Sequence, residues 1–223
     1  MYRSTSAVKM PMKLISATPS AYARINRIAF MEKGIDFELF NEVPWNLDTQ
    51  TPTYNPLEKL PILIFEDGTH IYDSALIQEF IIKTYADKGP ALVPQDLKGY
   101  LQARQIQTLA IGQMDAMALV FFEDSREVKS AEWKARQDRK VDGAMKAYDD
   151  YVQAAKGGWL VGGEYSIADI AVGCAAEWVD FFGIRPEWRK QHTHLAAWLE
   201  KLGQRDTFQK TQPVMFEMKE RVV

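Results

Sequence analysis

The stretch ISATPSAYARINRIAFMEKG, residues 15 to 34, begins as a short apolar run, turns at Thr-Pro-Ser and continues as a helix. Residues 12 to 17 (MKLISA) have the pattern of a short buried strand, and Gly34 is placed to end the helix. The helix is amphipathic, because apolar residues recur on one face at Ala21, Ile25, Ile28 and Ala29. Ser20 therefore lies at a strand-to-helix junction, where its hydroxyl either caps the helix or presents its oxygen to a ligand.

The rest of the first half has the pattern of three more strands and a second helix. Residues 36 to 40 (DFELF) alternate as a strand should, and a polar connection with prolines follows. The runs LPILIF and THIYD are joined by an Asp-Gly turn, which predicts a β-hairpin. A helix then starts at Asp73 and Ser74 and continues as SALIQEFIIKTYA. The predicted order over residues 12 to 86 is βαβ, a connection, then ββα.

The second half of the chain is helical in pattern. Turn-forming residues in DKGPALVPQD place a linker at residues 87 to 96, between a domain at 12 to 86 and one at 97 to 223. Two long segments, beginning LKGYLQ and AEWKAR, predict an antiparallel pair of helices. Ser166 and Asp169 form a capping box before an apolar helix, and we assign both residues to folding. The predicted fold class is α/β plus all-α.

Composition and charge argue against several classes of protein. The 223 residues carry a formal net charge of -3 with no run of like charges, so we expect no nucleic-acid partner. The single cysteine, Cys174, lies in an apolar run, which indicates core packing and a reducing compartment. The three histidines have no partners at ligand spacing, so we expect no metal. No apolar run approaches the ~20 residues of a membrane span, and the leading MYRSTSAVKMP lacks the core of a signal peptide, so we expect no membrane partner and a cytoplasmic protein.

Four motifs follow one another along the chain. They are SAYAR at the first strand-to-helix turn, NPLEKLPIL before the hairpin, YDSALI at its exit and SIADI in the helical half. With these motifs the chain resembles the cytosolic glutathione S-transferase family, and GQMDAMAL and RDTFQKTQP resemble a serine-type bacterial subgroup. The resemblance implies a thioredoxin-like N-terminal domain that binds glutathione and an all-helical domain that contributes the electrophile pocket. It also implies a homodimer and a role in detoxification.

The resemblance implies five glutathione-binding residues. A cis peptide bond at Leu60-Pro61 turns the backbone of Leu60 toward a groove, where it pairs with an extended peptide ligand; taken alone, Pro61 equally starts an edge strand. Ser74 and its amide are implied to hold the α-carboxylate of the γ-glutamyl group, and Asp73 its ammonium. An ordinary N-cap also explains Asp73, where many relatives have Glu. Lys59 is implied to pair with the glycyl carboxylate, although exposed lysines are more often solvated surface.

The resemblance assigns the catalytic hydroxyl to Ser20. In serine-type relatives this hydroxyl donates a hydrogen bond to the glutathione sulfur, and at a helix N-terminus such a bond favours the thiolate. Arg24 aligns with the arginine four residues after that position, which sets the register. Relatives usually have proline where Ala21 stands, so Thr18 in the preceding Thr-Pro pair is an alternative hydroxyl. Serine instead of cysteine at this position disfavours mixed-disulfide chemistry.

The electrophile pocket is expected between Ser20 and the first long helix of the second domain. Its expected lining is Tyr22, Met114, Met117 and Phe121, with Phe122, Trp178 and Trp188 as weaker candidates. Methionine and aromatic side chains make an adaptable apolar wall for varied small molecules. For each of these residues taken singly, packing in the core of a helical domain is the more frequent role.

These expectations describe a glutathione transferase that activates the glutathione thiol for attack on a small apolar electrophile. Glutathione is then a co-substrate, and peroxidase or isomerase chemistry would be a side activity. The alternative is a non-catalytic protein of the same fold that binds glutathione or another ligand and has no need of Ser20. A third class, an RNA polymerase associate with this fold, finds no matching surface motif in the sequence.

Overall fold

The computed structural model describes residues 12–217. Residues 1–11 and 218–223 lie outside the described part of the chain. The prediction that the leading MYRSTSAVKMP is no signal peptide therefore concerns residues that the structure does not describe. The same holds for the end of the predicted helical domain.

Residues 12–217 contain one four-stranded sheet, which lies in the first half of the chain. Its strands are Lys13–Ser16 (β1), Glu38–Asn41 (β2), Ile62–Ile64 (β3) and His70–Ile71 (β4). The spatial order is β2-β1-β3-β4, with β1 parallel to β2 and the other two pairs antiparallel. Leu14 and Ile15 of the central strand β1 are buried. The predicted strands and the hairpin are confirmed.

The first half also forms helices where the sequence predicts them. These helices are Ala21–Glu32 (α1), Thr51–Tyr54 (α2) and Ser74–Thr84 (α3). α1 buries Ile25, Ile28 and Ala29 completely, and Gly34 follows it in the left-handed conformation with φ 64°. α2 is a single turn with Pro52 near its start, in the connection for which the sequence predicts no helix. The order βαβ, connection, ββα is otherwise confirmed.

The second half is helical, as predicted. Its helices are Leu97–Ser125 (α4), Ala131–Ala154 (α5), Ile167–Phe182 (α6), Trp188–Gln191 (α7), Thr193–Gly203 (α8) and Asp206–Gln209 (α9). α4 and α5 pack against each other, and α6 packs against α4, α1 and α8 in the core. The capping box is confirmed, because the Asp169 carboxylate accepts hydrogen bonds from the N–H groups of Ser166 at 2.8 Å and Leu160 at 2.9 Å. Burial raises the pKa of Asp169 to about 6 against the opposing effect of these bonds.

The predicted linker lies between Thr84, the end of α3, and Leu97, the start of α4. Within it Leu92 is fully buried, and its carbonyl accepts a hydrogen bond from the Ile167 N–H at 2.8 Å. The linker therefore packs against the start of α6. The exact domain limits stay predictions.

A buried cation joins the two halves. The Arg24 guanidinium, on α1, donates to the Phe208 carbonyl at 3.1 Å and to the Thr211 hydroxyl at 3.2 Å. It also pairs with the carboxylate of Glu177 on α6. Because a buried charge is costly without partners, these contacts tie α1 to the helical half. Arg24, which sets the motif register in the sequence, is thus a structural residue.

Cys174 lies on α6 and is buried, as predicted for a core residue. Burial raises the pKa of its thiol to about 12. In the described part of the chain, no helix has the length and apolarity needed to cross a membrane. Within residues 12–217, histidine, cysteine and carboxylate side chains form no group of three that could hold a metal ion.

Candidate active site

The register of the sheet brings the predicted binding residues to one edge. β1 and β3 are antiparallel with Ile15 opposite Ile62, so the loop after β1 and the residues before β3 share that edge. β4 pairs with β3 through Ile71 opposite Leu63, which brings the residues after β4 to the same edge. The residues that this register places together are Ser20, Leu60, Pro61, Asp73 and Ser74.

Ser20 is the N-cap residue of α1. Its Oγ accepts a hydrogen bond from the Ala23 N–H at 3.2 Å, which confirms the capping role. A hydroxyl has one proton and two lone pairs, so this bond leaves the proton available. Among the described residues, none accepts a hydrogen bond from the Ser20 hydroxyl. Ser20 is half-buried at the positive end of α1, where it can cap the helix and donate to an anionic ligand at once.

Thr18 and Pro19 form the turn between β1 and α1. The backbone carbonyls of both residues accept hydrogen bonds from the helical half of the chain. The Val214 N–H donates to Thr18 at 3.2 Å, and the indole N–H of Trp178 donates to Pro19 at 2.8 Å. Thr18 lies inside the turn, whereas Ser20 lies at the helix terminus. The choice between the two hydroxyls stays a prediction.

The peptide bond between Leu60 and Pro61 is cis, as predicted. Pro61 is buried and directly precedes β3, so it also starts a strand. The backbone N–H and C=O of Leu60 make no hydrogen bond to any part of the chain that the structure describes. An unpaired backbone segment beside a strand is the arrangement that pairs with an extended peptide ligand.

Asn55 positions the segment before the cis peptide bond, and sequence reasoning misses it. It is 2% exposed, its Nδ2 donates to the Lys59 carbonyl at 2.8 Å, and its Oδ1 accepts from the Leu57 N–H at 3.0 Å. These two bonds bridge the segment while the Lys59 side chain stays exposed. The signal that could have found Asn55 is the Asn-Pro pair, which marks a turn.

Asp73 caps α3. Its Oδ1 accepts hydrogen bonds from the N–H groups of Ala75 at 2.9 Å and Leu76 at 3.3 Å, so the N-cap interpretation is confirmed. Its Oδ2 receives no hydrogen bond from residues 12–217. The Tyr72-Asp73 peptide bond is also cis, which the sequence does not indicate. Ser74 begins α3 and is 3% exposed, with its N–H at the positive end of the helix.

Aromatic side chains of both halves form one continuous series of rings, called the aromatic row below. Consecutive ring centroids lie 5.1 to 5.9 Å apart. In order, the rings belong to Tyr22, Trp178, Phe182, Phe121, Phe122, Trp45 and Phe216. The row begins two residues after Ser20 and includes two of the predicted pocket residues, Tyr22 and Phe121. No sequence motif predicts Trp45 or Phe182 as a member of this row.

Three other candidates for the pocket lie in the core. Met114 and Met117 are 0% and 2% exposed, and Trp188 is 2% exposed with its indole N–H donating to Asp180 at 2.6 Å. Core packing therefore accounts for these side chains. Helical spacing shows which residues share a face, but not whether a ligand or another helix covers that face.

Tyr22 adds a polar group to the aromatic row. Its hydroxyl donates to Asp115 Oδ1 on α4 at 2.7 Å. Burial raises the pKa of Tyr22 well above its usual value, and the hydrogen bond and charge of Asp115 raise it further. Tyr22 is therefore neutral at physiological pH. Asp115 lies within GQMDAMAL, but the sequence assigns it no role; in the structure it joins α4 to α1 close to Ser20.

Sequence and structure comparisons identify the class of protein. Residues 19–84 match the glutathione S-transferase N-terminal domain, and residues 110–206 match the glutathione S-transferase C-terminal domain. The chain is 33% identical over 204 residues to the uncharacterized GST-like protein YibF of Escherichia coli K12. This match covers 91% of the chain and 98% of YibF.

Solved structures share the fold. A glutathione S-transferase from Methylobacterium radiotolerans, in complex with glutathione sulfonate, has a TM-score of 0.89 and 39% identity, covering 95% of this chain and 99% of that one. A glutathione S-transferase from Methylobacillus flagellatus with glutathione bound has a TM-score of 0.84 and 31% identity, covering 91% and 100%. The chain belongs to the cytosolic glutathione S-transferase family, with a thioredoxin-like N-terminal domain and an all-helical C-terminal domain.

Proposed function

We propose that the protein activates the thiol of glutathione and transfers glutathione to a small apolar electrophile. The observation that carries this proposal is the Ser20 hydroxyl, which retains a proton at the N-terminus of α1. The unpaired backbone of Leu60 lies at the same sheet edge. The relatives that hold glutathione or its sulfonate support the assignment.

A hydrogen bond from Ser20 stabilises the glutathione thiolate relative to the thiol. An ordinary cysteine thiol has a pKa of about 8.5, and lowering it to about 6.5 takes about 2.7 kcal/mol. A hydrogen bond to a charged group supplies about 1.5 to 3 kcal/mol, and a helix N-terminus adds about 0.3 to 1 kcal/mol. Together these contributions make most of the bound glutathione reactive at neutral pH.

The rest of glutathione is proposed to lie along the sheet edge. The backbone of Leu60 beside the cis Pro61 pairs with the cysteinyl backbone. Ser74 and its N–H hold the α-carboxylate at the positive end of α3, and Asp73 Oδ2 takes the ammonium. The exposed ammonium of Lys59 pairs with the glycyl carboxylate.

The electrophile is proposed to bind on the aromatic row. Tyr22 and Phe121 are half-buried members of the row, and Met114 and Met117 support the helix behind it. Aromatic rings favour flat, apolar electrophiles, which make stacked or edge contacts. A homodimer and a cytoplasmic location belong to the same proposal, as expectations from the family.

The second function is binding of glutathione or another ligand without catalysis. Ala21 favours it, because proline at this position would preorganise the turn into α1. Tight glutathione binding with no turnover of aromatic halides, enones, epoxides or peroxides identifies this second function. Turnover of one of these classes identifies the transferase and shows whether peroxidase or isomerase chemistry accompanies it.

The thiolate pKa of bound glutathione tests the role of Ser20. Ultraviolet absorbance of the thiolate is followed against pH in the saturated protein. We expect Ser20→Ala to raise this pKa by about one to two units, because the helix N-terminus remains, and Thr18→Ala to leave it unchanged. An unchanged pKa in Ser20→Ala contradicts the role of Ser20, and a rise in Thr18→Ala alone assigns the role to Thr18. Because Ser20→Ala also removes a helix cap worth about 1 kcal/mol, the free energy of unfolding is measured for both variants.

A further inference from the structure

The turn before Ser20 is held by the helical half of the molecule. The indole N–H of Trp178, on α6, donates to the Pro19 carbonyl at 2.8 Å, across 159 positions of sequence. The Val214 N–H donates to the neighbouring Thr18 carbonyl at 3.2 Å. Two consecutive carbonyls of this turn are thus hydrogen-bonded to the other domain.

The Pro19 carbonyl belongs to the peptide group that leads into Ser20. The N–H of the same group donates to the Ala17 carbonyl at 3.0 Å. A peptide group is planar, so hydrogen bonds at its C=O and its N–H together set its orientation. That orientation determines where Ser20 presents its Oγ. Relatives usually have proline at the position of Ala21, and a proline ring would restrict the backbone there. In this chain the hydrogen bonds to the turn supply that restriction instead.

Trp178 is well placed to supply such a constraint. It is 7% exposed, and its ring packs edge-on against Tyr22 at 5.9 Å and Phe182 at 5.1 Å. Edge-to-face contacts at these distances are favourable and directional. The indole N–H is therefore a fixed donor beside Pro19 rather than a mobile one.

We propose that Trp178 is a positioning residue, which orients the Ser20 hydroxyl toward the glutathione sulfur by holding the Pro19 carbonyl, with Val214 assisting at Thr18. The proposal rests on the function proposed above for Ser20. Under this proposal, stabilisation of the thiolate in the N-terminal domain depends on a hydrogen bond from the helical C-terminal domain. Trp178 then does more than add a ring to the aromatic row.

Trp198 offers a matched control for this role. It is 2% exposed, lies on α8 in the same helical half, and its indole N–H donates to the Gly158 carbonyl at 3.0 Å. Phenylalanine at either position removes one indole-to-carbonyl hydrogen bond and a similar amount of buried ring. The two variants should therefore lose comparable stability and differ in their effect on Ser20.

We expect Trp178→Phe to raise the thiolate pKa of bound glutathione by about 0.5 to 1 unit, the equivalent of one hydrogen bond. From a pKa of about 6.5, this lowers the thiolate fraction at pH 7, and kcat with it, about 1.5-fold to threefold. The KM for glutathione should change by less than about twofold, because the Leu60 backbone and the start of α3 are untouched. Trp198→Phe should leave both the thiolate pKa and kcat at the wild-type values. Thiolate absorbance against pH and steady-state kinetics with an aromatic halide provide the measurements.

An unchanged thiolate pKa in Trp178→Phe overturns the proposal, and so does an equal rise in Trp198→Phe. If Trp178→Phe does not fold, Trp178→Tyr, which keeps a buried ring but has no indole N–H, takes its place, and a wild-type pKa in that variant overturns the proposal. A wild-type pKa in Val214→Pro, which removes the hydrogen bond to Thr18 from an exposed residue, removes the assisting role of Val214. Ser20→Ala separates the two proposals. An unchanged pKa in Ser20→Ala removes the function of Ser20 itself, whereas a rise there with none in Trp178→Phe removes only the positioning role.

Discussion

Ser20 uses its lone pairs and its proton for different purposes. A lone pair accepts the Ala23 N–H and caps α1, while none of the described residues accepts the hydroxyl proton. Asp73 repeats this arrangement at α3, where Oδ1 caps the helix and Oδ2 receives no hydrogen bond from residues 12–217. At both positions the cap fixes the side chain and leaves a second polar group that the described residues do not pair. Folding and binding roles are therefore compatible within one side chain.

Asn55→Ala is expected to weaken glutathione binding while the protein still folds. The substitution removes both hydrogen bonds that bridge the segment before the cis Leu60-Pro61 bond. Two such bonds are worth about 1 to 3 kcal/mol, so the dissociation constant of glutathione should rise about fivefold to a hundredfold. Isothermal titration calorimetry measures this change.

The control for Asn55→Ala is the thiolate pKa at saturating glutathione. It should equal the wild-type value, because the Ser20 turn is untouched. Wild-type affinity in a folded Asn55→Ala protein would contradict the positioning role of Asn55.

At the scale of the element, α6 both packs against the other helices of the helical half and carries Trp178, which contacts the turn before Ser20. Gly173 lies where α6 packs against α8 and α9. A Cβ at this position would overlap the Leu202 side chain and lie 2.7 Å from the Phe208 ring. Glycine therefore permits the close approach of these helices. Since Trp178 is on the same helix, this packing also helps to set where its indole meets Pro19.

Gly173→Ala is expected to destabilise the protein by about 1 to 3 kcal/mol, because the added methyl overpacks the contact with Leu202 and Phe208. Gly143 is the matched control, since it lies on α5, is exposed and has no atom within 4 Å of an added Cβ. Gly143→Ala should stabilise by about 0.5 to 1 kcal/mol, the helix propensity of alanine over glycine. Urea unfolding measures both changes, and equal signs for the two variants would refute the close-packing argument.

At the scale of the whole molecule, side chains of both halves meet along α1. Glu32, at the end of α1, accepts a hydrogen bond from Arg205 at 2.6 Å, and Tyr22 donates to Asp115 of α4. With the buried Arg24, these contacts lie along one helix that starts directly after Ser20. The orientation of α1, and with it the position of Ser20, therefore depends on the packing of the two domains.

We expect the protein to be a homodimer in solution. Leu76 of α3 and Leu101 of α4, both exposed, each lie about one turn from one of the two side chains in contact, Glu79 and Arg104, and the exposed Leu97 lies about one turn before Leu101. Single exposed leucines are ordinary, but several close together favour burial against a second copy. Light scattering should give twice the 25.5 kDa mass of the chain.

Leu101→Lys should shift that mass toward the monomer, because a charge would be buried in the interface. Leu47→Lys is the control, since Leu47 is 91% exposed in the connection after β2 and away from α3 and α4. A monomer mass for the wild type rejects the dimer, and an unchanged mass for Leu101→Lys rejects this interface.

Local patterns in the sequence were enough to predict the element order, the caps at Ser20 and Asp73, and the Ser166-Asp169 box. Each of these features depends on hydrogen bonds or apolar spacing within a few residues, so residues that are close in the sequence determine it. The cis bond at Leu60-Pro61 followed from the family resemblance of NPLEKLPIL. These features account for most of the fold and for the residues that are proposed to bind glutathione.

Only the tertiary structure decided which apolar residues face the site and what holds Ser20. Met114 and Met117 share the helical spacing of a pocket wall, yet neighbouring helices cover them. The hydrogen bond between Trp178 and the Pro19 carbonyl joins residues 159 positions apart, so no local sequence pattern predicts it. Periodicity specifies the face of a helix, whereas the packing of the two domains specifies what that face meets.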